Sequence, residues 1–247
     1  AHAESKEARP LFLYYASPIP HRPWVPSAAF QGKSGQGDYG DFVMQLDAVV
    51  GQINAALKET GLDQNTLLIF TSDNGPGPLA VKAMKHVGHA SAGVLRGQKS
   101  YSWEGGHRIP LIAKWPGRIA ANEQTTAVIN FTDVFATFAE LLEVDAATHY
   151  PHSAADSHSF LSVLLDPSQA YQRPGLMFNR EGARDGDWKL VSKSRVRKME
   201  VAKASQFELF NLRNDLSEQN DVAQKHPERV ERLFKAYRDY AANRELK

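Results

Sequence analysis

The apolar run Leu67-Leu68-Ile69-Phe70, followed at once by Thr71-Ser72-Asp73-Asn74-Gly75, constrains this chain more than any other stretch. A short β-rich run bounded by polar residues has the pattern of an interior parallel strand. In open α/β sheets, ligands bind in the crevice beyond the carboxyl ends of the strands. A carboxylate and an amide carbonyl side by side at that place can serve a hard cation such as Ca²⁺ or Mg²⁺. Taken alone, the triplet at 73–75 reads first as a turn, because Asn and Gly tolerate positive φ.

Composition sets the outer limits. With 247 residues, 42% of them apolar and 23% charged, the chain has material for one large domain, or for one domain plus a smaller one. A formal net charge of +1 gives no electrostatic argument for nucleic acid. No apolar run approaches the length of a membrane span. Cysteine is absent, which excludes disulfides, thiolate zinc sites and a catalytic thiol, and leaves the redox compartment unread. Residues 1–9 are polar, carry no legible leader, and read as the tail of a longer protein.

Along the chain, residues 11–15 read as a buried strand and 17–26 as a loop stiffened by its prolines. A helix is expected from about 38 to 60. Phe42, Val43, Leu46, Val49, Val50, Ile53 and Leu57 recur at helical spacing, and Gly61 serves as a left-handed cap. Residues 73–107 show no clear periodicity and are rich in Gly, Ser, His and Lys. A connection of that length favours an active-site excursion. Residues 109–115 return as a strand, and Thr132-Asp133 is expected to cap a second amphipathic helix carrying Val134, Phe135, Phe138, Leu141 and Leu142. From 145 to 174 the texture is loop-like. Strands are expected near 176–179, 188–192 and 207–211, and Pro227 opens a last helix with Val230, Leu233, Phe234 and Tyr237 on one face. The expected fold class is α/β, with an α/β domain over residues 1–145 and, over 146–247, a smaller antiparallel sheet with a C-terminal helix.

Four further motifs occur in order along the chain. His21-Arg22-Pro23-Trp24 precedes Ser72-Asp73-Asn74-Gly75. Then come Gly88-His89-Ala90-Ser91-Ala92-Gly93 running on to Leu95-Arg96-Gly97-Gln98-Lys99, and Trp103-Glu104-Gly105-Gly106-His107-Arg108-Ile109-Pro110. This ordered set resembles the sulfatase family of the alkaline-phosphatase superfamily, in particular its bacterial arylsulfatase-type members, and the likeness covers nearly the whole chain. Residues 39–47 and the run Asp185-Gly186-Asp187-Trp188-Lys189-Leu190 belong to it. The resemblance implies a partial alkaline-phosphatase-like sandwich, a mixed sheet flanked by helices, in the first part of the chain. It also implies a sulfuric ester hydrolase activity on a small-molecule or glycan sulfate ester, and a periplasmic or secreted location. Asp73 and Asn74 match the family's second pair of Ca²⁺ ligands, with Mg²⁺ as the other candidate. Lys99 matches a lysine that contacts the sulfate and the leaving-group side, a task suited to a flexible point charge; the alternative is a solvated lysine. His21 matches a histidine that faces the sulfate and helps protonate the leaving oxygen. The alternative for His21 is a histidine bonded to its own loop. His89 could line the substrate pocket or brace its loop.

Other candidates read as structural. Glu104 and Arg108 suit a clamp that holds the turn carrying Lys99. His149, His152 and His158 have spacings that fit no helical metal motif. The basic run at 193–198 reads as a solvated hairpin tip, with an anionic polysaccharide as the alternative contact.

The family pattern is incomplete here. Sulfatases carry a Cys-x-Pro-x-Arg or Ser-x-Pro-x-Arg motif whose first residue becomes formylglycine, the nucleophile. They also carry an Asp-Asp pair completing the metal site and a Gly-Lys-Trp-His-like segment. None stands in this sequence, and Ser17-Pro18-Ile19-Pro20-His21-Arg22 has the wrong spacing. The expectation is a C-terminal portion holding half a site, inactive alone and with an exposed sheet edge, whose partner is the missing N-terminal portion. Two alternatives stay open: an inactive sulfatase-like module binding anions or glycans, and a phosphodiesterase or phosphonate hydrolase of the same superfamily.

Overall fold

The computed structural model describes residues 10–150, 153–154, 156–179, 181–193 and 203–245. The polar opening, His152 and residues 194–198 of the basic run lie outside the described residues. In chain order the elements are α1 (Gly37–Glu59), β1 (Leu68–Thr71), α2 (Pro78–His86), the one-turn α3 (Glu104–His107), β2 (Leu111–Lys114), α4 (Asp133–Leu141), α5 (Ala146–His149) and α6 (Leu161–Leu165). There follow β3 (Met177–Asn179), β4 (Gly182–Asp185), β5 (Trp188–Ser192), β6 (Phe207–Asn211) and α7 (Pro227–Glu245). They fall into two compact units that interleave in sequence. Ala1–Thr71, Pro76–Gly93 and Leu111–Arg118 make the first, and Ser72–Gly75, Val94–Pro110 and Ile119–Lys247 the second.

In the first unit α1 ends as its sequence dictates. Gly61 takes φ +70°, and Leu62 N–H reaches back to Leu57 O at 2.9 Å. Near the other end, the Asp41 carboxylate accepts from Gly32 N–H at 2.7 Å and from Ser34 N–H at 2.8 Å, which folds the preceding loop onto the helix. β1 pairs antiparallel with β2, Leu68 opposite Lys114 and Thr71 opposite Leu111, and all four of its residues are only half-buried. The interior parallel strand expected here is therefore corrected, since an apolar run fixes burial tendency but not the direction of the neighbouring strand. Residues 11–15 form no strand. Among the described residues no sheet ladder reaches them, and Phe12, Leu13 and Tyr14 are more than 70% exposed. A strand is stabilised by its cross-strand pairs, and its apolar pattern cannot supply them. α2 lies inside the stretch that showed no periodicity. Pro78 occupies its first turn, and only Ala80 and Met84 are buried, too few apolar residues to register as a stripe.

In the second unit β3, β4, β5 and β6 form an antiparallel meander of four strands, one more than the sequence suggested. β4 was obscured by Gly182, whose missing side chain is structural, because a Cβ there would lie 2.0 Å from Leu190 O. The sheet is two-faced. Ala183, Leu190, Phe207 and Leu209 pack on Val230, Leu233, Phe234 and Tyr237 of α7, while Val191, Phe210 and Leu212 cluster with Trp103. α4 begins where expected, but Thr132 does not cap it: its backbone is already helical (φ −59°, ψ −26°) and its side chain makes no cap bond. Asp133 holds that end instead. It is fully buried, accepts from Asn130 N–H at 2.7 Å and grips Arg173 through bonds of 2.8 and 2.9 Å. The stretch read as loop-like contains α5, capped by Asp145, and α6, which buries Val163 and Leu164. Among the described residues no helix is long and apolar enough to cross a membrane.

Candidate active site

Between β1 and β2 the second unit is built on glycine backbones that approach too closely for side chains. Gly75 N–H donates to Gly106 O at 2.9 Å, and a Cβ on Gly75 would fall 1.9 Å from Gly105 O. Gly105 N–H donates to Arg96 O at 2.7 Å, and a Cβ there would lie 2.5 Å from Gly97 O. A Cβ on Gly106 would lie 2.0 Å from Tyr101 O and 2.8 Å from Gln98 O. The turn at 73–75, the loop at 97–101 and α3 are thereby one backbone cluster. Only residues without a side chain permit such a crossing.

That cluster is anchored by buried charge. Glu104, Lys189 and Glu218 are all fully enclosed. Lys189 Nζ donates to Glu104 Oε1 at 2.8 Å and lies 2.9 Å from Glu218 Oε1, an ion pair without hydrogen-bond alignment. Glu218 Oε2 accepts from Glu104 N–H at 2.6 Å, so one carboxylate holds the backbone of the other's residue. Arg108 and Arg184 approach Glu104 Oε2 at 3.3 and 3.4 Å. Arg96 lies over the Trp103 ring at 3.9 Å and donates to Glu218 O at 2.9 Å. Burial opposes ionisation of Glu104, but Lys189 and then Arg184 outweigh it and hold the carboxyl at about 2. Burial wins at Glu218, whose carboxyl is pushed up despite Lys189. His107 is pushed down by burial and by the neighbouring Lys189 charge, while its Nε2 lies 2.8 Å from Ser102 O. A buried charge persists only when paired and hydrogen-bonded, and this network meets both conditions. Glu104 and Arg108 are thus the clamp their sequence suggested. Lys189 and Glu218 were not anticipated. The usable signal was the parity of β5, which sets Lys189 opposite to Leu190 and therefore away from the α7 core.

The structure brings three of the expected site residues onto this cluster. Asp73 is exposed, and among the described residues its carboxylate has no ion-pair or hydrogen-bond partner. Asn74 donates its amide to Gly75 O at 2.9 Å, which orients the side chain while its carbonyl oxygen accepts from no described residue. Lys99 is half-buried, and among the described residues its ammonium is unpaired. The next residue, Ser100, takes φ +78°, a conformation disfavoured for a side chain and met most often at functional turns. The other two expected residues lie in the first unit. His21 is exposed and its Nδ1 sits 2.9 Å from Arg22 O, so the loop-bonded alternative describes its present contact. His89 is exposed just beyond α2, its N–H bonded to Met84 O at 2.9 Å.

The donor set fits part of a hard-cation site. Asp73 and Asn74 offer two free oxygens, against the roughly six to eight that Ca²⁺ takes. Among the described residues no group of three or more His, Asp or Glu could hold a metal ion.

Comparison with known proteins bears on this arrangement. A family model described as Sulfatase matches residues 2–144. An N-acetylgalactosamine-6-O-sulfatase of Bacteroides thetaiotaomicron is 37% identical over 243 residues, covering 93% of this chain and 47% of that protein. Human arylsulfatase A is 36% identical over 173 residues, 70% of this chain and 32% of that protein. A solved 6S-sulf protein of Bacteroides thetaiotaomicron, described with the metabolism of multiple glycosaminoglycans, superposes with a TM-score of 0.78 at 33% identity, over 95% of this chain and 50% of its own. The chain therefore spans half or less of the length of these relatives.

Proposed function

This chain belongs to the sulfatase family, and from that premise we propose that it is the C-terminal portion of a sulfate-ester hydrolase, carrying half of the catalytic site. The fold is α/β of the alkaline-phosphatase-like kind, with a small antiparallel sheet and a C-terminal helix. The observation that carries the proposal is the glycine crossing, which sets the oxygen donors of Asp73 and Asn74 and the unpaired ammonium of Lys99 on one rigid backbone cluster.

Within this reading Asp73 and Asn74 hold a Ca²⁺ ion, or Mg²⁺. Such an ion supplies positive charge to the oxygens of a bound sulfate ester. Lys99 donates to a sulfuryl oxygen on the leaving-group side, in a loop whose backbone cannot recoil because Gly105 and Gly106 fill the space behind it. Preorganised charge of that kind is the largest contributor to many group-transfer rates. His21 hands a proton to the departing oxygen, after exchanging its contact with Arg22 O for one with substrate, and His89 lines the pocket. The nucleophile, a formylglycine, and the remaining metal ligands come from an N-terminal portion. The substrate class is a sulfate ester on a glycan, as the names of the 37%-identical relative and of the structural match suggest. The division of the chain near residue 145 belongs to the same reading, and the family match ending at 144 supports it.

The test is reconstitution. Mixed with a formylglycine-bearing N-terminal sulfatase portion and Ca²⁺, the chain should hydrolyse an aryl sulfate or a 6-sulfated N-acetylgalactosamine, and it should not do so alone. In the mixture Lys99→Ala and Asp73→Ala should each lower kcat/KM by about a hundredfold or more, whereas Lys193→Ala should not. Calcium-dependent turnover by the isolated chain would overturn the half-site reading.

A further inference from the structure

The first unit contains a groove that the proposed chemistry does not use. One face of α2, made by Leu79, Lys82, Ala83 and His86, forms one wall, and Arg22 and Trp24 of the proline-rich loop form the other, around about 360 Å³. The helical residues fall at i, i+3, i+4 and i+7, so they necessarily share a face. Three of the six lining side chains are bases and none is an acid. α2 itself carries Lys82, Lys85 and His86 with no carboxylate, although acidic partners at helical spacing are the usual way a solvated helix balances such charge. Among the described residues Arg22, Lys82 and His86 have no ion pair, and Arg22, Lys82 and His86 are exposed. Trp24 is half-buried, its ring tilted at 60° against Tyr39 with centroids 5.2 Å apart, which fixes its plane. Leu79 adds 47%-exposed apolar surface opposite.

We propose that this groove is a subsite for an anionic sugar residue of a polymeric substrate. A braced aromatic ring beside an exposed leucine offers a flat apolar surface suited to the carbon face of a pyranose. The unpaired bases at its rim suit a sulfate or carboxylate on that sugar. A bare inorganic anion would leave Trp24 and Leu79 without a role. A nucleic acid would need a longer basic track than three side chains on a chain of net charge +1. The subsite rests on the glycan reading of the proposed function and deepens it. Arg22 directly follows His21 in sequence, so a sugar held here would be an extension of the substrate reached by His21.

The test measures binding, not turnover. A defined sulfated tetrasaccharide of alternating uronate and sulfated hexosamine is titrated into the chain by calorimetry at low salt. Its desulfated, carboxyl-reduced counterpart, inorganic sulfate and an oligothymidylate serve as comparisons. The expected result is saturable binding of the sulfated tetrasaccharide alone, weakened about tenfold by Lys82→Ala with His86→Ala and by Trp24→Ala, and unchanged by Lys99→Ala. Because Trp24 packs on Tyr39, Leu79→Asp on the exposed wall serves as a second apolar variant and should weaken binding equally. No binding, equal binding of sulfate or oligothymidylate, or loss confined to the charge variants would each overturn the subsite. Binding abolished by Lys99→Ala but untouched by the groove variants would also overturn it, while leaving the catalytic reading intact. Failure of reconstituted turnover with groove binding preserved would do the reverse.

Discussion

In the second unit Leu190, Leu209 and Leu233 are wholly enclosed, whereas in the first Leu13, Tyr14 and Ile112 leave well over half of their surface in water. Both units have strongly apolar patterns, so the difference lies in what is available to cover them. The second unit supplies its own cover, with α7 on one sheet face and the 94–110 segment on the other. In the first, only Phe42, Ala80 and Met84 are buried among apolar residues. An amphipathic pattern states that a face is meant for a core. It does not state which segment provides the other half of that core.

The contrast can be broken most sharply at Lys189. Lys189→Met strands two enclosed carboxylates, and it should destabilise the second unit by about 3–5 kcal/mol in urea unfolding. Amide exchange around Glu104 and β5 should rise far more than exchange in α1. Equal loss of protection in both units would break the comparison. Leu233→Ala should cost about 3 kcal/mol by opening a cavity beneath β5, read from the same unfolding curves. Acid provides a third probe. The Glu104 pKa is depressed from 4.5 to about 2. Its stabilisation is therefore complete above about 4.5 and is lost as pH falls from there through about 2, about 3 kcal/mol in all. Carboxyl NMR should show Glu104 titrating near 2 and Glu218 above the ordinary glutamate range. An ordinary midpoint for Glu104 would contradict the network. The smallest effect sharpens the contrast: Leu13→Ser, at a residue 74% exposed, should change stability by no more than about 0.5 kcal/mol.

Legibility in the sequence followed the same divide. α1, α7, β5 and β6 were visible because periodicity and end signals agree over many residues or end in clear turns. Residues 11–15 carried an equally clear signal, but strand formation depends on a partner. α2 and β4 were invisible for local reasons: the helix buries too few residues, and the strand starts on a glycine whose purpose is a close ladder contact. At the candidate site the ligand-type residues could be named from motifs. The crossing of Gly75, Gly97, Gly105 and Gly106 could not, because glycine leaves no periodic trace of what it approaches. Lys189 was hidden by its type, since a lysine in a strand ordinarily predicts water.

β5 has a consequence for how the chain tolerates insertions and deletions. Its even residue Leu190 faces α7, and its odd residues Lys189 and Val191 face the other way. A slip of one position would exchange the two sets, driving an ammonium into the α7 core and a leucine between two carboxylates. Either error alone would be severe, and a single slip commits both. The turn at Gly186 and Asp187 thus behaves as a gauge block. Adding or removing one residue there should be rejected by the hydrophobic core and by the charged network at once, so the spacing from β4 to β5 is expected to vary less among working versions of this protein than the identities of the residues that fill it.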